Sequence, residues 1–449
     1  DFCLSRGLGD VYKRQVYDPT AGTGGMLLIA RQALQELNPD IEVVLTGQEL
    51  MPMGYAIGKA DLLIQGGEPD AIRHGDTLLT DLYDGEHFEY ILSNPPFGTD
   101  WSVQQQAVQA EAKIPGSRFS HGLPGKSDGQ MLFLAHVASK LTPAGPNGSG
   151  GRGAVVSNGS PLFTGGPGSG PDQIRAWLLE SDLVDAIIQL PTNMFYGTGI
   201  STYVWILDTN KEDHRKGYVQ LIDASECWSV PEKGLGDKRR EMREHDRAKV
   251  LEAYAAFEDS HMSKVLTPSD LGFRDVQVIK QARLRVEVTE EAKAAVLAAK
   301  NAAPEHAEML DDVVGVEFND LPAALKIAAK NRGAKLPTTV VDAALKAVGV
   351  PDETAAPSVD RKGNPVLDPA FTMTERVPLT EDVVDHMARE VLPFAPDVTW
   401  DVSKSKVGYE IPFKRVFYRP APVRPLEEID ADVAVVMGRL AEKFAEVRE

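Results

Sequence analysis

The sequence predicts an α/β fold in which a largely parallel sheet is followed by a mainly α-helical C-terminal region. From residue 16 to about residue 224, short β-type apolar runs alternate with helical stretches, as in strands joined by crossover helices. Beyond that point, the charged run 233–249 and the Ala-rich runs 289–303 and 321–330 are typical of helices. We therefore expect a Rossmann-like domain of seven strands at 16–224 and a helical region at 225–449.

Composition narrows the class of protein. With 449 residues, the chain has room for two or three domains of roughly 100–200 residues each. No apolar run approaches the roughly 20 residues that span a bilayer, and Cys3 and Cys227 are the only cysteines, so we expect a cytoplasmic protein with no membrane partner and no disulfide framework. The net charge of −19 argues against a broad basic surface for nucleic acid. A nucleic-acid enzyme of this charge would need a local basic cleft or a partner.

The elements of the first domain follow in order along the chain. The predicted strands are 16–17, 41–45, 71–73, 88–92, 154–157, 183–190 and 202–207. The predicted helices are 26–37, 53–64, 130–141 and one that follows the Gly/Pro stretch 165–171 and ends near residue 181. The polar, irregular segment 100–124 indicates a mobile loop, and the charged, amphipathic run 426–449 indicates a C-terminal helix.

The first fifteen residues do not look like a natural protein segment. Residues 10–15 back-translate into the end of a transposase-based sequencing adapter, and residues 5–9 into the bases upstream of it. We expect residues 1–15 to be translated adapter fused to a truncated gene, so that the natural protein begins upstream. The alternative is a genuine basic N-terminal segment, which sequencing of the source locus would distinguish.

A glycine-rich turn follows the first predicted strand. Glycine lets the backbone approach a ligand closely, and ligands of open α/β sheets bind outside the carboxyl ends of the strands. The spacing fits neither the dinucleotide fingerprint nor the phosphate-binding lysine motif, and a plain strand–helix turn is the alternative. The candidate ligand contacts in this turn are Asp18, Thr20, Gly22, Thr23, Gly24 and Gly25.

Two acidic residues follow the next two predicted strands. Glu49 can accept hydrogen bonds from both hydroxyls of a ribose, and Asp76 can accept one from an adenine amino group. For each, the alternative is a helix N-cap or a solvated loop acid. Together with the glycine-rich turn, where Asp18 could meet the amino group of a methionine moiety, they favour an adenosine-type ligand.

The tetrapeptide Asn94-Pro95-Pro96-Phe97 ends the fourth predicted strand. Two prolines fix a rigid corner that can aim the Asn94 side-chain oxygen and the Pro95 carbonyl at one point. Both are acceptors and suit the two hydrogens of an exocyclic amino group, while Phe97 offers a face for a planar ring. The pattern predicts methyl transfer to a planar amino group, and a structural Pro-Pro turn is the alternative.

These residues resemble the amino-group DNA methyltransferases, and specifically the modification (M) subunit of type I restriction–modification systems. The resemblance covers most of the chain, and its later motifs are more specific to this subunit than its early ones. The motifs that carry it are 18–25, 47–49, 75–78, 94–97, 127–133, 158–163, 174–179, 190–191, 410–413 and 424–430.

The resemblance implies that S-adenosylmethionine donates a methyl group to the exocyclic amino group of adenine in DNA. It also implies that a separate specificity (S) subunit reads the DNA sequence, and it allows for a restriction (R) subunit and a second M subunit. The helix 426–449 would be an S-subunit contact or, alternatively, a solvated surface helix. The family's N-terminal helical domain and its cofactor-contacting segment before the first strand are absent from this sequence, so we expect reduced cofactor affinity. No metal site is predicted.

Two other functions remain open on the sequence. Methyltransferases that act on guanine in RNA, or on glutamine in proteins, share the Asn-Pro-Pro-aromatic corner but usually lack so long a C-terminal half. A non-enzymatic assembly module with a degenerate pocket is the other possibility, and the intact corner and turn argue against it.

Overall fold

The computed structural model describes residues 13–146, 149–234, 236–420 and 425–446. Its strands are β1 (Lys13–Asp18), β2 (Glu42–Glu49), β3 (Ile72–His74), β4 (Tyr90–Ser93), β5 (Arg152–Ser157), β6 (Val184–Gln189), β7 (Tyr203–Asp208), β8 (Val219–Asp223), β9 (Ser263–Leu266), β10 (Gly272–Gln281), β11 (Leu284–Val286), β12 (Gly349–Pro351), β13 (Leu367–Pro378), β14 (Val398–Trp400) and β15 (Lys406–Tyr409). Its α-helices are α1 (Gly25–Leu37), α2 (Pro52–Ile64), α3 (Gln105–Glu111), α4 (Gln130–Lys140), α5 (Ser160–Phe163), α6 (Gly170–Glu180), α7 (Glu244–Ala256), α8 (Glu290–Leu297), α9 (Pro304–Glu308), α10 (Leu321–Asn331), α11 (Thr338–Val348), α12 (Val383–His386), α13 (Phe413–Val416) and α14 (Leu426–Glu446).

The central sheet has nine strands in the described residues, in the order β3-β2-β1-β4-β5-β7-β6-β8-β9. The neighbouring strands from β3 to β5 are parallel, and β7 runs antiparallel between β5 and β6. All seven predicted strands are present in this sheet, which confirms the α/β class. The sequence analysis missed β8 and β9. Strand β9, which comes after residue 224 in the chain, pairs with β8. The sheet therefore crosses the predicted domain boundary, because its last strand comes from the C-terminal region.

The first described strand begins inside the segment that the sequence attributes to an adapter. Lys13, Arg14 and Gln15 pair in parallel register with β2, beginning with Lys13 opposite Glu42. The rest of that prediction, including Cys3, concerns residues 1–12, which lie outside the described residues.

The strand order reverses between β1 and β4. From β1 the sheet extends through β2 to β3, and the chain then returns to form β4 on the other side of β1. Ligands of open α/β sheets bind outside the carboxyl ends of the strands at such a reversal. The carboxyl ends of β1 and β4, at Asp18 and Ser93, therefore mark the expected ligand site.

The segment 100–124 is packed into the domain, so the prediction of a mobile loop was wrong. It contains α3, and Trp101, Val108 and Phe119 are buried in the core that also contains α4. The Trp101 indole N–H donates to the Gly125 carbonyl at 2.9 Å. Single apolar side chains among polar neighbours anchor the segment, and a search for periodic apolar runs does not detect such anchors.

The C-terminal region combines helices with a second sheet. The predicted helix at 321–330 is present as α10, whereas the predicted helix at 289–303 ends at Leu297 as α8, and both enclose a separate apolar core with α11. The prediction of a helix at 233–249 was wrong before Glu244, where α7 begins, because charge without apolar periodicity does not specify a helix. The antiparallel sheet of β10, β13, β14 and β15 was not predicted. β13 is exposed along most of its length and therefore lacks the alternation of a half-buried strand. Among the described helices, none is long and apolar enough to cross a membrane.

The segment 409–413 returns to the first domain. The Tyr409 backbone N–H donates to Asp172 Oδ1 at 2.8 Å, and the buried Arg175 guanidinium donates to the Tyr409 carbonyl at 2.5 Å. Ile411 is buried in the core that contains α4 and α6. Residues of the second half therefore contribute to the core of the first domain.

Candidate active site

The glycine-rich turn joins β1 to α1 in a left-handed conformation at two positions. Gly22 has φ +54° and Gly24 has φ +75°, which is a region that side chains with a Cβ rarely adopt. A Cβ on Gly24 would also lie 3.1 Å from the Ile72 side chain. Glycine is therefore required here for the tight turn that brings the start of α1 to the carboxyl end of β1.

Asp18, the last residue of β1, is fully buried. Its Oδ1 accepts hydrogen bonds from the Thr20 backbone N–H at 2.9 Å and from the Thr20 hydroxyl at 3.3 Å, whereas its Oδ2 is buried without a partner. Burial, opposed by the Thr20 hydrogen bonds and reinforced by nearby Glu49, raises the pKa of Asp18 to about 7. A buried acceptor without a donor is costly, so Asp18 fits a ligand that supplies a cationic N–H group.

Glu49, the last residue of β2, closes the turn from the other side. Its Oε2 accepts from the Gly22 N–H and its Oε1 from the Met51 N–H, both at 2.7 Å. These bonds fix the carboxylate beside the glycine-rich turn. Each carboxylate oxygen has two acceptor sites, so contact with ligand hydroxyls remains available.

Asp76 follows β3, and its side chain caps the turn that comes next. Its Oδ1 accepts from the Leu78 and Leu79 N–H groups at 2.9 and 3.2 Å. The adjacent Thr77 hydroxyl donates to the Pro19 carbonyl at 2.6 Å, so Asp76 is held next to the glycine-rich turn. The structure thus brings Asp76 to the site without bonding it directly to the other predicted ligand contacts.

Gln104 is a site residue that the sequence analysis missed. Its side-chain NH₂ donates to Asp76 Oδ2 at 2.6 Å, while its Oε1 is buried without a partner. Among the described residues, only four buried side-chain atoms lack a partner, and two of them, on Asp18 and Gln104, lie at this site. No sequence signal identified Gln104, because it lies in the segment that the sequence indicated was a mobile loop.

The corner Asn94-Pro95-Pro96-Phe97 begins directly after β4. The Ser93 hydroxyl lies 3.0 Å from the Thr20 hydroxyl, so the corner is linked to the glycine-rich turn through the residue that bonds Asp18. Asn94 is exposed and its amide makes no hydrogen bond with any described residue. Its acceptor is therefore open to a substrate.

A second aromatic ring accompanies Phe97. Phe195, in the connection between β6 and β7, lies edge-on to Phe97 with ring centroids 6.3 Å apart at 89°. The sequence analysis did not single out Phe195, because nothing in its local pattern distinguishes it from a core aromatic residue. The two rings give the corner an aromatic wall.

Hydrogen bonds at the start of α4 hold the segment that follows the corner. The Gly129 N–H donates to the Thr99 carbonyl at 3.0 Å, just after the corner. Buried Gln130 donates to Asp128 at 2.8 Å and accepts from the Asn158 N–H at 2.8 Å. The motif 127–133 therefore ties the end of β4 to the end of β5.

The predicted cofactor contacts form two hydrogen-bonded pairs beside the turn, in which Thr20 donates to Asp18 and Gly22 donates to Glu49. Gly24 shapes the turn. Thr23 and Gly25 are exposed at the start of α1 and lie beside these pairs in the chain without bonding to them.

Comparisons with known proteins show the family to which the chain is similar. The N-6 DNA Methylase family model matches residues 4–291. The MjaIX type I restriction enzyme methylase subunit of Methanocaldococcus jannaschii is 26% identical over 275 residues, 61% of this chain and 46% of the relative. The EcoKI methylase subunit of Escherichia coli is 30% identical over 206 residues, 42% of this chain and 35% of the relative.

A solved methyltransferase subunit of a type I restriction-modification system, from Streptococcus thermophilus, aligns with a TM-score of 0.48 and 28% identity, and the alignment covers 57% of this chain and 50% of that one. The chain thus spans about half or less of the length of the relatives that it matches. Because the family model matches well over half of its residues, the chain belongs to the N-6 DNA methylase family.

Proposed function

We propose that this chain transfers the methyl group of S-adenosylmethionine to the exocyclic amino group of adenine in DNA, as the modification subunit of a type I restriction–modification complex. The observation that carries the proposal is the link from Asp18 through Thr20 and Ser93 to the open amide of Asn94. It connects a buried, unsatisfied carboxylate to an exposed acceptor across the strand reversal.

The cofactor fits the groups that surround the glycine-rich turn. Asp18 Oδ2, buried without a partner, would accept from the amino group of the methionine part. Glu49 would accept from the ribose hydroxyls, and Asp76 from the adenine amino group. When bound, the cofactor supplies an electrophilic methyl group on its sulfonium.

Asn94 and Pro95 would act on the target amino group. The Asn94 side-chain oxygen and the Pro95 carbonyl would accept hydrogen bonds from its two hydrogens, which would orient the amino group and leave the nitrogen lone pair available for methyl transfer. Positioning and electrostatics, rather than a strong base, would promote this step. The adenine must leave the duplex to reach the corner, where Phe97 can stack on it.

The exposed apolar surface of helix α14 supports the proposal of a subunit partner. Its apolar side chains recur at spacings of three and four residues and are all at least 40% exposed, so nothing in the described structure covers this stripe. They are Leu426, Ile429, Val433, Val436, Met437, Leu440 and Phe444. We propose that α14 docks on a specificity subunit, which would also offset the net charge of −19 in gripping DNA. A restriction subunit and a second modification subunit would complete the assembly.

Transfer of tritiated methyl groups tests the proposed activity. The chain, co-expressed with the specificity subunit from its own locus, is offered DNA, RNA and protein with labelled S-adenosylmethionine. We expect label in DNA as N6-methyladenine. Label in RNA or protein without label in DNA would replace the proposal with one of the two other amino-group activities.

A further inference from the structure

A loop that carries three consecutive cations is attached to the aromatic side of the candidate active site. Its described residues are 229–234 and 236–241, and an antiparallel bridge closes it, in which the backbones of Ser229 and Glu241 exchange hydrogen bonds of 2.8 and 3.0 Å. Near its end lie three consecutive cations, Lys238, Arg239 and Arg240, which we call the basic triplet.

Backbone hydrogen bonds fix the basic triplet to the segment that carries Phe195. The Asn193 carbonyl accepts from the Arg239 and Arg240 N–H groups at 2.9 and 3.1 Å. The Tyr196 carbonyl accepts from the Asp237 N–H at 3.2 Å. Phe195 lies between these two anchoring residues and contacts Phe97, so the triplet flanks the aromatic wall of the corner.

The three cations are used differently. Arg240 donates to the Thr192 hydroxyl at 3.0 Å and covers the Trp228 ring at 4.1 Å, so it holds the loop in position. The side chains of Lys238 and Arg239 make no hydrogen bond or ion pair with any described residue. Arg239 is exposed and Lys238 is half-buried.

Lys238 and Arg239 are therefore not neutralised by a carboxylate of the described residues, although the net charge of the chain is −19. Elsewhere in the chain, exposed arginines are commonly paired with carboxylates, as Arg332 is with Asp312 and Arg361 with Asp342. An unpaired lysine and arginine beside a corner that receives an extruded nucleotide are suited to phosphate oxygens.

We propose that Lys238 and Arg239 bind the phosphates that flank the extruded adenine on its own DNA strand. The inference rests on the proposed function, because it takes DNA as the substrate. Extrusion rotates the nucleotide about its backbone, so the neighbouring phosphates must approach the rim of the corner. Contacts of this kind fix position and do not read sequence, which leaves base recognition to another subunit.

The salt dependence of DNA binding tests this proposal. Binding of a fluorescein-labelled duplex to the full chain, co-expressed with the specificity subunit from its own locus, is measured by anisotropy between about 50 and 200 mM salt. We expect the variant Lys238→Gln/Arg239→Gln to lower the slope of log affinity against log salt by about 1.8, since each phosphate contact on duplex DNA contributes about 0.9. S-adenosylmethionine binding, followed by calorimetry, should not change, because neither residue lies at the cofactor site.

The matched control is Lys326→Gln/Lys330→Gln, which removes two exposed lysines from α10. An equal loss of slope in this control, or an unchanged slope in the triplet variant, would overturn the proposal, as would a wild-type chain that does not bind the duplex. The proposed function is judged separately: a wild-type chain that binds the duplex with the expected slope but transfers no methyl group to it would refute the activity and leave the DNA contact standing.

Discussion

Adjacent residues of β1, Tyr17 and Asp18, are both fully buried, but they belong to opposite kinds of polar cluster. Tyr17 packs against α4 and belongs to a group of polar side chains that are paired with one another. We call Tyr17, His136, Arg118, Lys140 and Asp81 the closed network. Asp18 belongs to a second cluster, at the strand reversal, in which its Oδ2 has no partner. We call Asp18, Thr20, Ser93 and Asn94 the open cluster. We interpret the difference as one between groups that stabilise the fold and groups that are available to a ligand.

The closed network is internally consistent. Burial, together with the nearby Arg118 charge, lowers the pKa of His136 to about 3, so its ring is neutral. Since the Arg118 guanidinium must donate to His136 Nδ1, at 3.0 Å, Nε2 carries the proton and donates to the Tyr17 hydroxyl at 3.1 Å. Lys140 donates to Asp81 at 2.9 Å and to the Tyr83 carbonyl at 2.6 Å. These buried groups therefore need no ligand.

The exposed end of the open cluster gives the largest expected effect. The change Asn94→Ala removes one of two acceptors for the target amino group and should lower methyl transfer by at least about 10³-fold, roughly 4 kcal/mol. Cofactor affinity should remain, because Asn94 does not contact the glycine-rich turn. Single-turnover methylation and calorimetry measure the two quantities. The control Asn331→Ala, at the exposed end of α10, should retain activity; substantial activity in Asn94→Ala would contradict the assigned role.

A change in the closed network should act on stability instead. Lys140→Met leaves the buried Asp81 carboxylate without its cation, which costs about 3 kcal/mol in the free energy of unfolding. Burial is the largest influence and raises the pKa of Asp81, but the hydrogen bond from Lys140, the Tyr83 backbone hydrogen bond and nearby positive charge together outweigh it, so the net shift is downward. Urea denaturation measures the loss, and the double change Lys140→Met/Asp81→Leu should recover much of it. A loss of cofactor affinity in folded Lys140→Met would show that the two clusters are not separate.

The pH dependence of Asp18 sharpens the contrast. Its pKa is raised from 3.8 to about 7, so the native state without cofactor binds more protons than the unfolded state between these values. The free energy of unfolding should therefore fall as pH rises from about 4 to about 7. Cofactor binding needs the ionised form, so affinity should fall about tenfold per unit below pH 7 and level off above it. Calorimetric titrations at several pH values test this. Asp18→Asn should bind weakly and without pH dependence; a pH dependence that survives this change would contradict the assignment.

The smallest effect is expected at Gln104. Gln104→Ala removes the donor to Asp76 and the buried unpartnered oxygen. Cofactor affinity should therefore fall several-fold, on the order of 1 kcal/mol. Gln104→Glu would set a carboxylate against Asp76 and should weaken binding more than Gln104→Ala does. Equal affinity in all three proteins would separate Gln104 from the cofactor site.

Sequence patterns predicted the parts of the site that depend on local chemistry. The left-handed turn at Gly22 and Gly24 requires glycine, and the prolines at 95 and 96 fix a corner wherever the strand ends. Both signals lie within a few residues of one another. The α/β class followed in the same way from the alternation of strands and helices.

Long-range contacts could not be predicted in this way. Phe195 meets Phe97 across about a hundred residues of chain, and Gln104 meets Asp76 from a segment without periodic apolar residues. The sequence of β9 is too short to predict a strand, and only its pairing with β8 identifies it as one. Such contacts depend on the fold as a whole, which a single sequence reveals through local patterns alone.

The return of Tyr409 to the first domain has a consequence for synthesis of the chain. The hydrogen bond from Arg175 to Tyr409 spans 234 residues. It supplies one of the acceptors that the buried Arg175 guanidinium needs. At roughly 5–20 residues per second, a ribosome needs on the order of 10–50 s to supply the second partner after the first. During that interval the first domain lacks the part of its core that residues 409–413 supply. Premature termination before residue 409 should therefore yield a chain with an incomplete core that chaperones and proteases recognise.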